Sequence, residues 1–143
     1  MSSEIKKNSK TTKNFQSEST SSGSEFENLV VQDINSKGYT IISKNTKIDQ
    51  IGVNVDVIAE KNGEKVYFEA KGGRSGGKKR PGAKRTDNVK KAICNGALLK
   101  VKYPNLKYVL YFSSKPKKGS SSDEMIITAI SAGFVDEVRY LDY

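Results

Sequence analysis

The sequence contains no histidine and no tryptophan, one cysteine, three prolines and fewer acids than bases. Each shortage closes off some chemistry. Without His there is no Ser–His or Cys–His nucleophile pair, no imidazole base and no imidazole metal ligand. Nucleases that use a histidine base are therefore excluded. The single cysteine, Cys94, permits no intrachain disulfide and no zinc site built from several cysteines, and it suits a reducing cytoplasm. No run approaches the ~18 apolar residues of a membrane span, and Met1-Ser2-Ser3-Glu4 does not open a signal peptide. The expectation is an intracellular, cytoplasmic chain with no membrane partner. Apolar residues make up 35% of the 143, against about 45–50% for an average domain with glycine counted. That length and composition allow one domain with a modest core. Any catalysis falls to carboxylates, lysine, hydroxyls and a hard metal ion.

What is present in excess is positive charge, and it is concentrated. The chain carries 25 Lys and Arg against 16 Asp and Glu, a net +9. From Lys71 to Lys91 nine basic residues accompany one acid, Asp87, so this stretch alone holds +8. Gly72-Gly73, Gly76-Gly77 and Pro81-Gly82 forbid a regular helix or strand through its first half, which reads as a mobile basic loop. Such a segment suits a polyanion, whose neutralised phosphates release counterions. No amphipathic membrane helix accompanies it. The candidate nucleic-acid contacts are Arg74, Lys78, Lys79, Arg80, Lys84, Arg85, Lys90 and Lys91. Residues 1–24 are dominated by Ser, Thr, Lys and Asn and cannot bury enough surface to offset their ordering entropy. They read as a disordered basic tail, and the folded domain as residues 25–143.

Glu25 to Lys37 predicts a helix with Ser24 as N-cap, a stripe of Phe26, Leu29, Val30 and Ile34, and Gly38 as its stop. Tyr39 to Lys44 is strand-like. Two β-branched and aromatic runs, Asn54–Glu60 and Lys65–Lys71, flank Asn62-Gly63, the preferred pair for a type I′ hairpin turn. A helix over Thr86–Val101 follows, with Val89, Ala92, Ile93, Ala97 and Val101 inward and Cys94 near that stripe as a packing residue. Asp87 is a first-turn acid favoured by the helix dipole. Leu106–Ser113 reads as a strand, Asp123–Ala132 as a helix and Val135–Leu141 as a last short strand. The order αβββαβαβ implies an α/β fold, a mixed sheet flanked by helices.

The hairpin carries a geometric consequence. With Asn62 and Gly63 in the turn, Lys61 pairs with Glu64, and the same register sets Asp56 opposite Glu69, with Cβ atoms roughly 4.5–5.5 Å apart. Lys71, two residues beyond Glu69, shares that face. Opposed like charges are destabilising unless something lies between them, and Mg²⁺ is commonly held by one or two carboxylates. The competing reading places both acids in bulk solvent, with Lys71 as a cross-strand ion-pair partner.

Asp56, twelve intervening residues, then Glu69-Ala70-Lys71 resembles the PD-(D/E)XK nuclease signature of the restriction-endonuclease-like fold. Gly23-Ser-Glu-Phe-Glu27, followed by Gly38-Tyr39, is similar to the first helix of archaeal Holliday junction resolvases. Val55 departs from the Pro that usually precedes the first acid. The resemblance implies a metal-dependent endonuclease hydrolysing DNA phosphodiester bonds, with Mg²⁺ (Mn²⁺ as substitute) and no small-molecule cofactor. It implies Asp56, Glu69 and the carbonyl of Ala70 as metal ligands. Lys71 would orient the attacking water and stabilise transition-state charge. Glu27, with Glu25 as second choice, would act through an intervening water or on a second ion. A homodimer is expected by the same resemblance. The alternative is a non-catalytic DNA- or RNA-binding module of the same fold.

Overall fold

The apolar stripe at helical spacing forms a helix over residues 23–36 (α1) in the computed structural model, which describes residues 23–73 and 82–142. Ser24 lies inside this helix instead of capping it. The helix stops at Gly38, whose φ of +89° lets Gly38 N–H reach the Asn35 carbonyl and Tyr39 N–H reach that of Ile34. That is the paired C-terminal bonding a left-handed glycine permits. The tail expected over residues 1–24 lies outside the described residues, except that 23 and 24 belong to α1.

Five strands follow with two more helices: β1 (Thr40–Ile48), β2 (Val53–Lys61), β3 (Glu64–Lys71), α2 (Thr86–Lys102), β4 (Lys107–Phe112), α3 (Ser121–Ser131) and β5 (Glu137–Tyr140). A short 3₁₀ turn, Gly82–Lys84, precedes α2. The sheet order is β1-β2-β3-β4-β5, with the first three strands antiparallel and β3, β4 and β5 parallel. The fold is thus α/β, with a five-stranded open mixed sheet. The turn between β2 and β3 has positive φ at both Asn62 (54°) and Gly63 (79°), as a type I′ turn requires.

The two faces of the sheet bury separate cores. Phe26, Val30 and Ile34 of α1 pack on Val57, Val66, Phe68, Val109 and Tyr111. Val89, Ala92 and Leu99 of α2, with Ile126 and Ala129 of α3, pack on Val55, Ile58, Leu110 and Phe112. The inward face of α2 is centred on Gly96, with Leu99, and not on Val101, which is 81% exposed. A Cβ at Gly96 would meet the Phe134 carbonyl and the Tyr108 ring within 2.7 Å, so the helix sits against β4 along its glycine. Cys94 is exposed rather than packed. It lies two positions from both Ala92 and Gly96, about 200° round the helix from each.

Strand β2 changes face part-way. Val53 and Val55 join the α2/α3 core, whereas Val57 and Ala59 join the α1 core. Two-residue alternation would give all four one face, so the strand turns over between Val55 and Val57. Asp56 stands at that turn. No helix among the described residues is long and apolar enough to cross a membrane.

Candidate active site

The hairpin register is the one the turn dictates, from Lys61↔Glu64 to Val57↔Phe68. The ladder ends one pair short of Asp56 and Glu69. At its end the Asp56 side chain takes over a backbone role, with Oδ2 accepting the Ala70 N–H at 2.8 Å. Asp56 and Glu69 stay close enough that each shifts the other's ionisation.

Glu69 is the most buried ionisable group of the site, 3% exposed. It faces α2, whereas its neighbours Phe68 and Ala70 belong with the α1 core. Burial first, and then the Asp56 carboxylate, push its carboxyl up to about 7; Lys71 and the Asn95 side chain work in the opposite direction. Lys71 Nζ stands 3.3 Å from Glu69 Oε1, and the lysine side chain is 26% exposed. It bridges the buried acid and solvent. Glu69 Oε2 is buried with no hydrogen-bond partner among the described residues. Burial also raises Asp56, against the lowering effects of the Ala70 N–H and Lys71.

Glu27 reaches this cluster from α1. It is half-buried, and its carboxyl is raised by burial and then by Asp56, with Lys44 and Lys71 opposing. Four candidate catalytic residues, Glu27, Asp56, Glu69 and Lys71, therefore form one electrostatic cluster drawn from α1, β2 and β3. Sequence reasoning missed two neighbours, Lys44 on β1 and Asn95 on α2. Their approach depends on tertiary packing and leaves no local signature.

A divalent cation fits this donor set. Two carboxylates suffice for Mg²⁺, whose other positions keep water, and the orphaned Glu69 Oε2 is an acceptor that a cation would satisfy. Among the described residues no three His, Cys, Asp or Glu side chains converge on one metal position. Glu27 thus joins the cluster as a charged neighbour, not as a third close ligand. Ala70 contributes its N–H to Asp56.

Comparison with family models, curated proteins and solved structures finds no match.

The basic residues divide. Arg74, Lys78, Lys79 and Arg80 lie outside the described residues. Arg85 precedes α2 and is engaged by Asp87 through two hydrogen bonds of 2.9 Å, so its guanidinium already has an anionic partner. Lys84 and Lys91 are exposed. Lys90 stands with Cys94 along a cavity of about 550 Å³ between α2 and α3, which includes none of the four clustered site residues.

Both ends of the basic segment are fixed beside the end of β4. A Cβ at Gly72 would lie 2.4 Å from that of Ser113, and one at Gly82 would lie 2.7 Å from the Ser114 nitrogen. Gly73 N–H donates to Ser113 Oγ at 3.2 Å and Ala83 N–H to the Ser114 carbonyl at 3.3 Å. The segment thus leaves and rejoins the fold beside the C-terminal ends of β3 and β4. Lys71 is the last residue of β3.

Proposed function

We propose that the chain is a Mg²⁺-dependent endodeoxyribonuclease of the PD-(D/E)XK kind, with restriction-endonuclease-like topology, acting on DNA as a homodimer. The observation that carries this reading is the buried Glu69 carboxyl set against the half-buried Asp56, close enough to couple, with one Glu69 oxygen lacking a hydrogen-bond partner among the described residues. A fold gains no stability from such a pair unless a cation or a shared proton compensates it. Lys71 beside the pair, Glu27 at its flank and the basic segment leaving the same strand add to it.

Asp56 and Glu69, with the Ala70 carbonyl, would hold the cation, and Mn²⁺ would fit the same oxygens. The bound ion supplies Lewis-acid polarisation of the phosphate and lowers the pKa of water. The protein's own groups do the rest. Lys71, anchored by Glu69, presents its ammonium at the solvent side, where it orients water and faces charge developing on a phosphoryl oxygen. Glu27, its proton affinity raised by burial and Asp56, is suited to orienting or accepting a proton from that water. Asp56 has a second task, fixing the end of β3 through the Ala70 N–H. None of these roles needs an imidazole.

The deciding experiment is nicking of supercoiled plasmid with and without Mg²⁺ by the wild type and Asp56→Asn. Metal-dependent nicking by the wild type alone is expected. Plasmid binding without nicking by either protein would replace the nuclease reading with that of a binding module.

A further inference from the structure

The helices α2 and α3 follow the parallel strands β3 and β4 respectively, and their first turns border one cavity of about 440 Å³. Lys84, Lys115 and Lys117 line it with Thr86, Ser121 and Ser122. All three lysines border solvent, and none forms an ion pair among the described residues. Lys115 has its ammonium 5.8 Å from the centre of the Tyr140 ring, which holds the side chain at the cavity wall.

The start of α3 directs donors into this space. Ser120 caps the helix: its hydroxyl accepts the Asp123 N–H at 3.3 Å and its carbonyl accepts that of Glu124. The N–H groups of Ser121 and Ser122, in the first turn, have no partner within the helix. The Asp123 carboxylate of the first turn is engaged by the Gly119 N–H at 2.9 Å. The Ser122 side chain borders the cavity, is only 5% exposed, and its hydroxyl has no hydrogen-bond partner among the described residues. Three lysine ammonium groups with no ion pair among the described residues, the first-turn N–H groups of α3 and the Ser122 hydroxyl form a complementary surface for a tetrahedral oxyanion.

We propose that this cavity binds a phosphate group of the nucleic-acid strand, as a second contact separate from the Asp56–Glu69 cluster. The proposal deepens the reading of the chain as a DNA-binding enzyme and rests on its DNA-binding part, not on cleavage. Lys84, Lys115 and Lys117 then act as strand-positioning residues. In its lining, Lys84 stands two residues after Gly82 and Lys115 directly after Ser114, the two positions whose backbones meet beside the end of β4.

The test uses the full chain in EDTA, so that cleavage plays no part. Backbone amide spectra are recorded while a short DNA duplex or inorganic phosphate is added. The duplex is expected to shift the Ser121 and Ser122 amides, and millimolar phosphate to shift the same amides more weakly. Lys115→Gln with Lys117→Gln should lower the slope of log K against log salt by about 0.9 for each phosphate no longer neutralised. Ser122→Ala, which changes no charge, should weaken duplex binding several-fold at an unchanged slope. Duplex binding that leaves both amides and the slope unmoved would overturn the cavity while sparing the DNA-binding reading. Response to inorganic phosphate alone would overturn it in favour of a small phosphorylated ligand. Absence of duplex binding by the wild type would remove both.

Discussion

Asp56 Oδ2 accepts the Ala70 N–H at 2.8 Å, so one carboxylate both faces its acidic neighbour and replaces a strand partner where the β2–β3 ladder stops. The two roles separate by substitution. In Asp56→Asn the amide oxygen still accepts the bond and only the charge is lost. In Asp56→Ala the Ala70 N–H is orphaned as well, at about 1–3 kcal/mol for a buried donor. Thermal unfolding in EDTA is expected to rank Asn above Ala by about that amount, while both variants lose Mg²⁺-dependent nicking. Equal stability of the two would mean that the hydrogen bond contributes nothing.

Glu69 makes metal-free stability depend on pH in an unusual direction. Its carboxyl is raised from 4.5 to about 7, so between those values the folded chain holds a proton that the unfolded chain releases. Stability then falls as pH rises through this window and levels off above it. A shift of that size corresponds to about 3 kcal/mol. Asp56, also raised, acts in the same direction, whereas Asp33 and Glu137 are lowered and contribute their losses at more acid pH. Melting in EDTA should therefore show a falling transition temperature from pH 5 to 7 for the wild type and a flatter one for Glu69→Gln. Magnesium, which needs the ionised carboxylate, should raise the wild-type transition more at pH 8 than at pH 5.5 and leave Glu69→Gln unmoved.

Local signals in the sequence carry as far as local physics reaches. Asn62-Gly63 sets the register of β2 on β3, and that register brings Asp56, Glu69 and Lys71 to one place without knowledge of any other element. The stripe ending at Gly38 places α1. Reasoning fails where burial depends on what lies across the interface. Val101 looks inward by composition, but the close approach of Tyr108 and Phe134 to Gly96 rotates α2 so that Leu99 is inward instead. Two directly opposed acids would, by charge alone, make removal of either one a relief of repulsion. The Ala70 bond changes that balance for Asp56→Ala, because β2 turns over at Asp56 and no ladder rule describes its side chain there.

Tyr111 ties α1 to the distal side of the sheet. Its hydroxyl donates to Asp33 Oδ2 at 2.6 Å and accepts from Arg139 at 2.8 Å, and Arg139 is held in turn by two bonds to Glu137. Tyr111→Phe keeps the buried ring on Phe68 but deletes both bonds to charged partners. The expected loss is about 1.5–3 kcal/mol in chemical denaturation, the range for hydrogen bonds to charged groups. A loss below about 0.5 kcal/mol, under the ordinary net value of a hydrogen bond, would show that Asp33 is served adequately by Lys37 alone, with which it makes a 2.6 Å ion pair.

Gly82 tests how the basic segment is anchored. Its φ is +54°, and a Cβ there would lie 2.7 Å from the Ser114 nitrogen and 2.8 Å from Ser113 Oγ. The backbone cannot easily withdraw, because Ala83 N–H is bonded to the Ser114 carbonyl. Gly82→Ala should therefore cost about 1–3 kcal/mol through strain at a left-handed position and steric displacement. DNA affinity should fall with it, since the 3₁₀ turn carrying Lys84 is displaced. Wild-type stability and affinity in Gly82→Ala would mean that this attachment is loose.

Glu27 is the site residue whose role depends most on tertiary structure. Phe26, Val30 and Ile34 bury one face of α1 against the sheet, and Glu27, about 100° from Phe26 round the helix, flanks that face. Its carboxyl is raised by burial and by Asp56, while Lys44 and Lys71 draw it down. A solvated first-turn acid would feel the helix dipole but not the opposite strand. Glu27→Gln is accordingly expected to lower Mg²⁺-dependent nicking by roughly tenfold or more, the low end of an acid–base or water-positioning contribution, with DNA binding retained. Glu25→Gln, one residue the other side of Phe26, should lose little. Lys44→Gln provides the internal control: with one of its two cationic neighbours gone, the Glu27 carboxyl rises further, and the acid limb of the pH–rate profile should move to higher pH. A larger loss in Glu25→Gln than in Glu27→Gln would transfer the assignment to Glu25. Full activity in both would leave a site composed of Asp56, Glu69 and Lys71 alone.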